Sequence, residues 1–141
     1  MTNGTVNSVT YTDPTHITLN LSTVGAAAGL QNITITNIYT ANAAVNGSLV
    51  EVIKFIATAT TSAGFIRLYR SAGGGASWKL IGQVAVAAFT PSATVQTAEA
   101  FYTGIDMPLR LNAGDTLGAA PTQANAFSCF VQGGPLVNSD S

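Results

Sequence analysis

Short runs of alternating apolar and polar residues, each closed by Gly, Pro, Asn or Ser, fill this chain and leave little room for a helix. Ile17, Leu19 and Leu21 alternate with Thr18, Asn20 and Ser22, the period of two that a strand with one buried face requires. Ile33 and Ile35 repeat the pattern against Thr34 and Thr36. Asn37 then breaks the phase before Ile38 and Tyr39, which predicts a bulge. After the Asn46-Gly47 turn signal, residues 49–60 carry apolar side chains on both faces, with Glu51 on one and Lys54 on the other. That is the expectation for a central strand covered on both sides. Residues 65–70 and 78–86 flank the loop Ala72-Gly73-Gly74-Gly75-Ala76 as a hairpin. In its second arm Trp78, Leu80, Gly82, Val84 and Val86 share one face, and Lys79 and Gln83 the other. Segments at 109–111, 116–118 and 127–132 complete the set, the last stopping at Gly133-Gly134-Pro135. Residues 92–104 are ambiguous: their Ala, Glu and Gln permit a helical turn, whereas Thr94, Val95 and Thr97 favour strand or loop.

About eight short strands with this spacing predict an all-β, single-domain β-sandwich, jelly-roll-like. An immunoglobulin-like order competes, but the paired cysteines flanking a tryptophan are missing. A chain of 141 residues suits one domain. Residues 1–15 read as a polar N-terminal arm, 16–134 as the sandwich and 135–141 as a polar C-terminal tail.

The inventory of reactive side chains argues against an enzyme. One histidine, His16, and one cysteine, Cys129, leave neither a catalytic triad nor a His/Cys metal site complete. His16 reads as a solvated residue at a strand start, and Cys129, alternating with Phe127 and Val131, as a buried inert thiol. Asp106 and Asp115 occupy neighbouring turn regions, where aspartate serves backbone conformation more often than glycoside hydrolysis. The glycines at 73–75 lack the Gly-Lys-Ser/Thr ending of a phosphate loop. No cofactor, metal or catalytic residue is expected.

Charge is scarce. Asp, Glu, Lys and Arg together make up 8% of residues, with a net charge of −1, against a usual share of about 25%. This offers no basic footprint for nucleic acid and no polybasic stretch for a membrane surface. Nor does an apolar run long enough to span a bilayer occur, or a basic-then-apolar export signal at Met1-Thr2-Asn3-Gly4-Thr5. Interface cores are depleted in Lys, Glu and Asp, so a surface this poor in charge reads as one hidden by partners. A secreted Thr/Ser-rich β-domain is the alternative. Phe55, Phe65, Phe127 and Phe130 read as core. Tyr11, Tyr39, Phe89 and Tyr102 are the candidate interface aromatics, since Tyr is enriched where subunits pack. An exposed Tyr/Trp platform for sugars, built on Trp78 and Tyr102, is the other use of such residues.

The stretches Asn46-Gly47-Ser48-Leu49-Val50-Glu51, Thr60-Thr61-Ser62-Ala63-Gly64-Phe65-Ile66-Arg67-Leu68-Tyr69 and Trp78-Lys79-Leu80-Ile81-Gly82-Gln83-Val84-Ala85-Val86 resemble small structural proteins of tailed bacteriophages. So do Thr90-Pro91-Ser92-Ala93-Thr94 and Leu109-Arg110-Leu111-Asn112-Ala113-Gly114-Asp115-Thr116-Leu117. The similarity lies in the order of strand patterns and turns over about two thirds of the chain. It implies a head decoration (cement) protein, a homotrimer seated on the major capsid protein at the virion exterior and made in the host cytoplasm. A tail or neck component, or a carbohydrate-binding head-fibre or adhesin module, is the alternative.

Overall fold

The computed structural model describes residues 7–9, 15–21, 35–41, 43, 47–72, 77–104, 107–123 and 125–138. Among them are ten strands: β1 (Asn7–Val9), β2 (Thr15–Leu21), β3 (Thr36–Thr40), β4 (Ser48–Ala57), β5 (Gly64–Ala72), β6 (Trp78–Val86), β7 (Glu99–Phe101), β8 (Leu109–Leu111), β9 (Asp115–Pro121) and β10 (Phe127–Asn138). No helix occurs among the described residues, 92–104 included. The strands form a six-stranded and a four-stranded sheet, with antiparallel pairing throughout.

Early strands pair with late ones in a nested order. β2 lies against β10, β3 against β9, β4 against β7 and β8, and β5 against β6. The first and third pairs belong to the six-stranded sheet, joined through β10 and β4; the others form the four-stranded order β3-β9-β5-β6. This nesting is compatible with a jelly roll. Both sheets feed one apolar core: Val50, Ile53, Phe55 and Val131 from one, Ile66, Leu68, Leu117 and Ala119 from the other. Burial of each large side chain stabilises the fold by about 1.5–3 kcal/mol. The chain is therefore an all-β sandwich. The expected runs correspond to β2–β6 and β8–β10; the additional strands, β1 and β7, have three residues each.

Three irregularities set which side chains face outward. On β3 the register skips Ile38, between Asn37 and Tyr39, where the sequence predicts a bulge. Asn37 Oδ1 accepts the Tyr39 N–H at 3.1 Å, and Ile38 and Tyr39 are both buried. On β4 the register skips Glu51, which is exposed, so Val50 and Ile53 both reach the core. On β6 it skips Ile81: Leu68 pairs with Gly82, and Tyr69 with Leu80. This corrects the expectation of one continuous face from Trp78 to Val86. Val84 and Val86 point inward, whereas Trp78 and Leu80 lie beyond the bulge on the outer face.

Two further expectations need correction. Gly133-Gly134-Pro135 does not end the last strand, because β10 runs on to Asn138. Pro135 lacks an N–H, but past the register shift at Gln132/Gly133 the pairing continues through Pro135 opposite Ser48, and Leu136 N–H donates to Gly47 O at 3.0 Å. The strand buried on both sides is β9, all of whose residues are buried. β4 instead presents Val52, Lys54 and Ile56 half-buried on its outer face. β1 lies within the stretch expected as an arm and pairs with the end of β10, Asn7 opposite Asn138.

Candidate functional site

The residues singled out for chemistry are scattered. His16 stands opposite Gln132 on β2, and Asp106 lies outside the described residues. Asp115 is buried at the start of β9, where its Oδ2 accepts the Asn112 N–H at 3.0 Å and Arg70 Nε–H at 3.1 Å. That ion pair with Arg70 closes the 112–115 turn onto β5 and occupies the carboxylate. Cys129 is fully buried in the core, and burial pushes its thiol up to about 12 from 9.0. No group of three or more His, Cys, Asp or Glu suited to a metal occurs among the described residues. No helix among them is long and apolar enough to cross a membrane.

Of the four interface aromatics, Tyr11 lies outside the described residues. Tyr39 and Tyr102 belong to the core cluster, at 4% and 8% exposure. The Tyr102 ring lies directly over Gly82, where a Cβ would stand 2.5 Å from it. Phe89 is half-buried and bridges Thr61 through the backbone, with N–H to O distances of 2.8 and 3.1 Å. Among the phenylalanines, Phe55 and Phe127 are core as expected. Phe65 is not: it is 42% exposed, because Ile66 takes the inner face and turns its neighbour outward. Phe130 is half-buried on the outer face of β10, beside buried Cys129 and Val131.

The outer face of the four-stranded sheet is built over small residues. Gly118 lies between the core residues Leu117 and Ala119 and therefore faces outward. A Cβ there would stand 2.3 Å from Ile35 Cγ2 and 2.9 Å from the Trp78 ring. Half-buried Trp78 thus rests on the β9 backbone instead of forming an open platform. Along this face Arg67 Nε, Tyr69 Oη and Thr116 Oγ1 are buried without a hydrogen-bond partner among the described residues. Burial raises the Tyr69 phenol above its usual range, opposed by the nearby Arg67 charge.

The outer face of the six-stranded sheet carries the most exposed aromatic side chain among the described residues. Phe101, on β7, is 49% exposed and stands opposite Lys54, which stands opposite Phe130 on its other side. The Lys54 ammonium sits 5.9 Å from the Phe101 centroid and 5.5 Å from that of Phe130, inside the range of a cation–π contact. Val52 and Ile56 flank the lysine along β4, and exposed Glu99 stands opposite Ile56. A depression of about 410 Å³ adjoins this patch, lined by Glu51, Val52, Phe101 and Met107 among others. Phe101 and Glu99 lie in the stretch 92–104, whose pattern is ambiguous between helix and strand, and the sequence does not single them out. The signal was the order Glu99-Ala100-Phe101, in which a phenylalanine alternates onto the same side as a glutamate. Compared with known proteins, the chain matches no family model, no curated protein and no solved structure.

Proposed function

We propose that this chain is a non-enzymatic structural subunit that works by packing against copies of itself and against a larger shell. The observation that carries the reading is the exposure of Phe65, Leu80, Val95 and Phe101 at 39–51% on a chain in which only 8% of residues are charged. Lone subunits usually keep such surfaces interspersed with charge, and contiguous apolar surface, as where Phe101 adjoins Phe130, Val52 and Ile56, marks protein contacts. The groups most able to do chemistry are spent on the fold: Asp115 on Arg70, and Cys129 in the core. The sequence resemblance to bacteriophage structural proteins supports reading the shell as a phage head, the partner as its major capsid protein and the assembly as a trimer on the capsid exterior. Binding assembled shells but not separated capsomers, the subunit stabilises the shell by mass action.

The test is to probe purified particles for this chain by mass spectrometry, and to compare the temperature at which particles with and without it release their contents. The proposal expects a stoichiometric component whose loss lowers that temperature. Particles lacking the chain, or indifferent to it, would overturn the reading. The arm is tested in the same assay. Residues 7–9 pair with β10, so deleting residues 2–14 removes one strand of the sheet together with the arm, and occupancy of the shell should be lost.

A further inference from the structure

We infer that the outer face of the six-stranded sheet around Lys54, Phe101 and Glu99 is a contact between two copies of this chain, closed about a two-fold axis. The inference rests on the self-association reading and adds to the proposed trimer a second, two-fold contact that joins two copies from different trimers. The patch contains the elements of an interface centre: a phenylalanine 49% exposed, a second ring and a lysine between them, with Val52 and Ile56 alongside. Apolar and aromatic groups that exclude water, grouped around a few charges, carry most of the energy at protein contacts.

Its charges identify the occupant. Lys54 and Glu99 lie on the same face, two residues apart in register, since Lys54 pairs with Phe101 and Ile56 with Glu99. Side chains in that diagonal relation are close enough for an ion pair. They form none, because the lysine turns between the two rings and the glutamate stays exposed. Each copy therefore presents one cation and one anion, neither in an ion pair among the described residues, on a single apolar patch. Such a patch complements itself: turned by half a revolution, a second copy sets its Glu99 on the first Lys54 and its Lys54 on the first Glu99. An isologous contact uses the same surface twice in this way. A partner of another kind would need its own matching pair of charges.

Pairing about a two-fold axis gives even-numbered species, a dimer or a pair of trimers. The experiment uses the full-length chain and two variants, Lys54→Glu and Glu99→Lys, studied by sedimentation velocity alone and as an equal mixture. Thermal melts confirm that each variant is folded. Each variant alone places like charges across the axis, and its association should weaken about tenfold or more. In the mixture the opposite charges face each other again, and the two variants should assemble together. Phe101→Ser should dissociate the pair irrespective of charge. An assembly whose mass is unchanged in all three variants, or a lone trimer, overturns this surface and leaves self-association standing. A monomeric wild-type chain overturns both.

Discussion

Thr116 and Gly118, two residues apart on β9, show how individual side chains bear on stability. Thr116 is fully buried and its hydroxyl has no partner among the described residues, so its desolvation is not offset by a hydrogen bond there. Thr116→Val replaces that hydroxyl with a methyl group of similar shape and should stabilise the protein by about 1 kcal/mol, read from the urea midpoint. Gly118→Ala should act oppositely. Its Cβ would collide with Ile35 and Trp78, and overpacking of this kind costs about 1–3 kcal/mol. Cys129 offers a chemical check. Its folded pKa of about 12 lies above the ordinary 9.0, so its contribution to stability is fully present below pH 9 and is lost as pH rises towards 12. At pH 8 the native thiol should resist alkylation, and chaotrope should release it. Cys129 was legible in the sequence because Phe127 and Val131 share its strand face. Phe65 was equally legible, since it alternates with inward Ile66 and Leu68, yet being a phenylalanine in a strand suggested core. A large apolar residue on a strand says little about which face it occupies until the neighbours fix the phase.

At the scale of elements, ladders and bulges decide what the sandwich displays. The hairpin of β5 and β6 was visible from its two alternating runs and glycine loop. The bulge at Ile81 was not, because Trp78, Leu80, Gly82, Val84 and Val86 alternate without interruption in the sequence. Only pairing against β5 shows that Leu80 and Gly82 face opposite ways. The strand at β9 was visible, but its burial on both sides was not, for the opposite reason. Asp115, Thr116, Gly118, Ala119 and Ala120 have a weak apolar signal, but small residues let Trp78 and Ile35 close over the strand. The bulge on β3 was read correctly because a polar residue there interrupts the alternation. At the start of β9, Arg70 and Asp115 fasten the turn to β5. Asp115→Ala removes the acceptor for both Arg70 and the Asn112 N–H. It should destabilise the fold by about 2 kcal/mol, read by thermal or urea unfolding, and leave Arg70 beside Lys79, its partner on β6.

For the molecule as a whole, the two-layer all-β architecture was legible because many short alternating runs have few other ways to bury their apolar faces. The surface was legible only in composition. Scarcity of charge pointed to covered surfaces, while the location of the aromatic patch required the pairing of β7 with β4. The account therefore turns on whether the chain is found alone in solution. Sedimentation velocity of the full-length protein at micromolar concentration tests this most directly. A species at a multiple of the 14.3 kDa chain mass, dissociated by Phe101→Ser, is the result the account predicts. A single stable species at the mass of one chain would contradict it.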